Sequence, residues 1–215
     1  MNFLKGIILP LVLAGVFTSC NSTRITSRWK SPDEPPAVAS RILVMAIVRS
    51  EDRSTRETME RHLADDLKTK GFQAITSWDV YGPKAFDSMP EDEALASLRN
   101  NGYDAVLTIV LLNKDRERSY YPGNFYFSPF IYYYNNFWGY QAMMMNRIYQ
   151  PGYYMTSTRY FWESNLYDMH TQKLVYSVQT RSFDPSSSES MAHAYGNIIT
   201  EELVSKALIR VTPSH

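Results

Sequence analysis

Apolar side chains recur along this chain at two different spacings, and each change of spacing marks a change of element. Arg41 to Arg49 encloses seven consecutive apolar residues, Ile42 to Val48. An unbroken run of that length between charges predicts a strand buried on both faces. The spacing then becomes four. Met59, Leu63 and Leu67 form one stripe, which predicts a helix. Ser54-Thr55-Arg56-Glu57 ahead of it has the form of a capping box, in which the hydroxyl and the carboxylate satisfy reciprocal backbone donors. Gly71 stands where the helix end needs a left-handed residue. Phe72 to Thr76 reads as a second, shorter strand. Pro90 to Asn100 reads as a second helix, with Ala94, Leu95 and Leu98 inward and Asn101-Gly102 ending it. Asp104 to Leu112 then supplies another central strand, through Ala105-Val106-Leu107-Thr108-Ile109-Val110-Leu111-Leu112.

Extended patterns resume at Thr156–Tyr167 and Leu174–Phe183. The turn-forming run Asp168-Met169-His170-Thr171-Gln172-Lys173 lies between them, and together they predict a β-hairpin. Ser186-Ser187-Ser188-Glu189 is a second candidate capping box. It opens a helix whose stripe is Ala192, Tyr195, Ile199, Leu203 and Ala207. Ile25 to Trp29 is a candidate edge strand, because an indole is costly to leave in water. The order β-α-β-α-β-(insertion)-β-β-α predicts a single α/β domain over residues 41–215, a mixed sheet with helices packed on it.

The insertion breaks both periods. Residues 119–162 hold eighteen aromatic side chains in forty-four positions, including eleven of the sixteen tyrosines, and only Arg147 and Arg159 carry charge. Pro122, Pro129 and Pro151 interrupt any single long helix or regular strand. The composition argues against disorder, which is poor in aromatics and rich in charge. Two readings stand: the aromatics fold back over the sheet as a satellite core, or they form an interaction surface, since tyrosine and tryptophan join an apolar face to a polar tip. The candidate surface is Tyr120, Tyr121, Tyr126, Tyr132, Tyr133, Tyr134, Trp138, Tyr140, Tyr153 and Tyr154, within an insertion bounded at 119–155. The prolines argue against membrane-crossing β-hairpins, and long alternating hairpins of the kind a secretion pore needs are not expected here. Met143-Met144-Met145 adds adaptable apolar surface.

Composition sharpens the picture at the N-terminus. Lys5 precedes an apolar stretch from Ile7 to Phe17, which suits a signal peptide over residues 1–19 and is too short to span a bilayer. Phe17-Thr18-Ser19-Cys20-Asn21 follows. It looks like a bacterial lipoprotein signal, with Cys20, the single cysteine of the chain, as the lipidated residue and mature N-terminus. Two or three acyl chains on one residue give stable anchoring where one gives only marginal binding. Asn21 is not the aspartate that retains many such proteins in the inner membrane, so an outer-membrane, periplasm-facing location is expected. Residues 20–40, with Pro32, Pro35 and Pro36, read as a lipidated N-terminus and tether. The leader holds one of 22 basic residues and none of 22 acids, which leaves 21 against 22 and a net charge of −1. No basic stripe for nucleic acid is visible.

Catalytic chemistry is not signalled. There is no phosphate-binding glycine loop and no nucleophile elbow. His62, His170, His193 and His215 lack metal-type spacing, and the pairs Asp65-Asp66 and Glu201-Glu202 read as solvated helix faces. No catalytic residue, metal or cofactor is expected beyond covalent lipid on Cys20.

Three stretches carry a resemblance: Thr26-Ser27-Arg28-Trp29-Lys30-Ser31-Pro32 with the strand Ile42–Val48 and the helix opening at Arg56-Glu57; Asn101-Gly102-Tyr103-Asp104-Ala105-Val106-Leu107; and Asn165-Leu166-Tyr167-Asp168-Met169-His170-Thr171-Gln172-Lys173-Leu174-Val175-Tyr176. The pattern resembles a group of small bacterial envelope lipoproteins defined by a domain of unknown function. The element order is similar to the N-terminal domain of TolB and the periplasmic domain of the curli-secretion lipoprotein. The resemblance implies a fold and no catalytic residues. The expectation is therefore a membrane-anchored, non-enzymatic binding or scaffolding protein, with an envelope protein or a glycan as partner. The alternative is a glycan- or lipid-handling protein that uses the tyrosine-rich segment for stacking.

Overall fold

The computed structural model describes residues 22–84, 89–121, 138, 141 and 152–210. Cys20 and the leader lie outside the described residues, as do Tyr126, Tyr132, Tyr133, Tyr134, Tyr140 and the Met143–Met145 run.

The strands are β1 (Thr23–Lys30), β2 (Ala37–Val38), β3 (Arg41–Ile47), β4 (Gln73–Thr76), β5 (Ala105–Tyr121), β6 (Tyr153–Asp168), β7 (Lys173–Phe183) and β8 (Ile209–Arg210). The helices are α1 (Arg53–Thr69), α2 (Ser77–Tyr81), α3 (Glu91–Asn100) and α4 (Ser188–Ser205). One six-stranded sheet runs β1-β7-β6-β5-β3-β4. The β3 strand is parallel to β4 and β5, while β5, β6, β7 and β1 pair antiparallel in turn. The expected mixed α/β domain is therefore the fold, with these four helices of the described residues packed on the sheet.

Two layers of apolar packing explain the pattern. On one face, Ile42, Val44, Leu107, Ile109, Trp162 and Leu166 meet Met59, Leu63 and Leu67 of α1 and Tyr195, Ile199 and Leu203 of α4. On the other face a smaller cluster, Leu43, Tyr103, Val106 and Met169, is covered by Leu95 and Leu98 of α3. The β3 run is buried on both faces only where both layers reach it, and Ile47 at its end is 51% exposed.

Gly71 and Gly102 take the left-handed conformation expected of them, at φ 89° and 68°. The β6–β7 hairpin forms as expected, and the Asp168 carboxylate accepts from the His170 and Thr171 amides to shape its turn.

Several expectations change. Ser54 does not open α1. A 3₁₀ turn at Ser50–Asp52 leads straight into Arg53, Asp52 takes the cap position without capping, and its carboxylate accepts from Lys114 Nζ at 2.7 Å instead. In α4 the box forms one residue later, between Ser187 and Ser190. The short α2 was not anticipated. It is opened by Thr76, whose hydroxyl accepts from the Asp79 amide.

The stretch expected to be a tether is largely built into the body from Thr23 onward. β1 is the edge strand beside β7, and Ala37–Val38 pairs in parallel with Ile209–Arg210. The polar character of 23–30 reflects an edge strand that is solvent-exposed over most of its length, and Trp29 stays 48% exposed there. The described ends of the insertion also differ from expectation. β5 continues nine residues past Leu112, and β6 begins at Tyr153, so the two form a long antiparallel ribbon. The prolines that argued against such a hairpin lie beyond Tyr121 or before Gly152.

Candidate interaction surface

The ribbon is built by alternation. After the bulge between Leu111 and Asn113, pairing is regular from Asn113↔Phe161 to Tyr121↔Tyr153. Successive side chains of a strand point to opposite faces. The run Lys114-Asp115-Arg116-Glu117-Arg118 alternates in sign, so it sorts its charges: Lys114, Arg116 and Arg118 share one face, Asp115 and Glu117 the other. On the acidic face Arg159, across the ribbon, forms ion pairs with both carboxylates. On the basic face Lys114 is held by Asp52 and lies over the Tyr160 ring, and the Arg118 guanidinium sits 4.1 Å from the centroid of Tyr154. Arg116 has no ion-pair partner among the described residues.

Tyrosines close both faces at the described end. Tyr120 pairs with Tyr154 on the basic face, ring centroids 5.0 Å apart; Tyr121 pairs with Tyr153 on the other, at 5.6 Å and nearly parallel planes. Cross-strand aromatic pairs of this kind contribute roughly 0.2–1 kcal/mol each to ribbon stability. Tyr120 also packs its ring end close against Gly152, where any side chain would have to push that exposed ring aside.

Among the candidate residues that are described, Tyr120, Tyr121, Tyr153 and Tyr154 are 45–59% exposed and Trp138 is 74% exposed. These five are not satellite core. The alternating charges that build the stem went unused in the sequence, although a sign change at every residue is a readable period-two signal.

A cleft of about 400 Å³ lies where the ribbon leaves the sheet, past the carboxyl end of β3 and beside the middle of β5 around its bulge. Arg49, Lys114 and Arg116 line it with Glu51 and Asp52.

Two carboxylates expected, or passed over, as surface groups are buried and hold elements together. Glu60 is fully buried and accepts from the Ala46 amide at 2.8 Å, Arg56 Nε at 3.0 Å, Ser77 Oγ at 2.9 Å and the Trp78 amide at 2.8 Å. It thereby ties α1 to β3 and to the start of α2. Glu202, expected on a solvated face, is 8% exposed. It accepts from Arg28 Nε and Lys206 Nζ, both at 2.7 Å, and from the Tyr176 hydroxyl at 2.5 Å. Burial opposes its ionisation, but these three donors outweigh it and hold the carboxyl at about 2, while burial pushes Tyr176 up.

Asp66, also expected to be solvated, packs against Gly196 of α4 with one oxygen buried and without a hydrogen bond, and that burial raises its pKa. His62 and His193 meet beside it with ring centroids 6.3 Å apart. Among the described residues, no group of three or more His, Cys, Asp or Glu side chains has an arrangement able to hold a metal ion.

No family model and no curated protein matches this sequence. Solved structures give distant likenesses. One is the PelC dodecamer from Paraburkholderia phytofirmans, at 12% identity and TM-score 0.43, over 87% of this chain and 99% of that one. Another is the lipoprotein GNA1162 from Neisseria meningitidis, at 15% identity and TM-score 0.43, over 77% and 99%. A third is a neuraminyllactose-binding hemagglutinin homolog from Helicobacter pylori, at 11% identity and TM-score 0.37, over 82% and 90%. At these values the likenesses assign neither an activity nor a ligand to this chain.

Proposed function

We propose that this chain is a lipid-anchored, non-enzymatic binding protein of the bacterial envelope, facing the periplasm from the outer membrane, and that it binds through the aromatic end of the β5–β6 ribbon. The observation that carries the reading is the exposure of two cross-strand tyrosine pairs at the end of a charged stem, a contiguous aromatic patch of the kind that marks interaction sites. The leader and Cys20 support the address. Palmitate labelling abolished by Cys20→Ser is the expected result for the anchor, and unchanged membrane partition of that variant would refute it. Photocrosslinkers in place of Tyr121 and Tyr154 should give adducts in cells, whereas a label at exposed His170 should not. Adducts at His170 alone would remove the ribbon from the binding role.

A second reading, glycan or lipid handling, is favoured by one feature. The Tyr120–Tyr154 pair with Arg118 presents ring faces and a cation together, which suits the apolar face of a sugar or a headgroup.

A further inference from the structure

The geometry points to a lipid bilayer as the surface met by the ribbon end, an inference that rests on the lipoprotein reading of Cys20. Four strands share one rung of the sheet: Thr23 pairs with Ser182, Ser182 with Tyr160, and Tyr160 with Lys114. β1 and β6 run in the same direction, so the chain preceding Thr23 leaves the sheet at the end from which the ribbon projects. The Phe183 amide, which donates to the Ser22 carbonyl, continues the pairing toward that end. Cys20 is three residues from Thr23 and therefore reaches at most about 10 Å beyond that rung. From the same rung the ribbon extends seven residues to Tyr121, roughly 24 Å at the usual rise per residue.

A bilayer that holds acyl chains on Cys20 must then lie on the ribbon side of the body, and the ribbon is the longer of the two. It either lies along the membrane surface or enters it. The side chains suit that contact. Tyrosine rings favour the water–lipid interface, and Arg116 and Arg118 can keep their charges among headgroups. From Lys114 to Tyr121 and Tyr153 to Arg159 there are four cations against two carboxylates, and both carboxylates are engaged by Arg159 on the opposite face. Lys114 is held by Asp52, and Arg116 and Arg118 of the basic face are left for anionic headgroups. The turn between β6 and β7, with exposed His170, lies at the far end of the sheet and points away from the membrane.

The test uses the lipidated protein in vesicles of phosphatidylethanolamine and phosphatidylglycerol. The lipid blocks the only native thiol, so a single introduced cysteine takes a fluorophore: Thr156→Cys, opposite Arg118 on the basic face of the ribbon, or His170→Cys at the far end. The ribbon label is expected to lose at least threefold in quenching by aqueous iodide and to gain quenching by nitroxide lipids; the His170 label should do neither. Equal iodide access at both positions overturns the proposal while leaving the anchor intact. Protection of the ribbon label that rises with protein concentration without vesicles also overturns it, and assigns the surface to a second copy of the chain. If palmitate labelling finds no lipid on Cys20, the released chain is mixed with the same vesicles. Ribbon protection that is lost in Arg116→Glu/Arg118→Glu supports the contact independently of the anchor, and its absence in the unmodified chain overturns it.

Discussion

Replacing Glu202 with Gln tests whether a buried carboxylate fastens the N-terminal edge strand. Glu202 on α4 holds Arg28 of β1 at 2.7 Å and also accepts from Lys206 and Tyr176. Its carboxyl falls from 4.5 to about 2 on folding, because the three donors outweigh its burial. At about 1.4 kcal/mol per pH unit, a shift of that size corresponds to roughly 3 kcal/mol. Arg28 and Lys206 are 46% and 45% exposed, so solvent screening reduces this to about 2 kcal/mol. The folded-state pKa is depressed. The contribution is therefore fully present above about 4.5 and is lost as pH falls toward about 2. Urea unfolding of the wild type and Glu202→Gln from pH 7 to pH 2.5 measures it. The wild type should be about 2 kcal/mol more stable at pH 7, and the gap should close on acidification. A gap below about 0.5 kcal/mol at pH 7, or one unchanged by pH, would refute the account.

Glu60→Ala leaves Arg56 and two backbone amides without their acceptor inside the body, and should cost about 3–5 kcal/mol by urea unfolding. Trp162→Ala empties the space beside Tyr195 at the centre of the main core and should cost about 3–5 kcal/mol by the same measurement. Asp66→Asn should stabilise the protein at pH 7, because burial raises that carboxyl and charging it opposes folding; the gain should disappear below the ordinary aspartate value of 3.8, as followed by thermal unfolding across pH.

The sheet and its two principal helices were legible because their apolar periods are long and consistent. Met59, Leu63 and Leu67 read as one stripe and pack as one. What was not legible depended on partners distant in the chain. Arg28 and Glu202 are 174 residues apart, and nothing local distinguishes Glu202 from its exposed neighbour Glu201. Ser54 looked like a cap because its neighbours match the motif; the 3₁₀ turn that displaces it ends at Asp52, which is drawn to Lys114 some sixty residues on. In the ribbon, prolines beyond the strand ends hid the regular alternation within them. The aromatic surface was half legible: composition located it, while the exposure of Tyr120, Tyr121, Tyr153 and Tyr154 required the pairing.

The placement of β1 also imposes an order of events on the protein's biogenesis. β1 lies near the start of the chain, yet among the described residues its only neighbour in the sheet is β7, and its Arg28 waits for Glu202 of α4. A chain made from its N-terminus delivers this strand long before either partner. During that interval β1 has no ladder to join, and pairing it must close a loop of some 150 residues, a slow and entropically costly step. Until α4 arrives, this early-made strand stays unsecured, and in that window it is open to proteases and to chaperones that recognise extended chain.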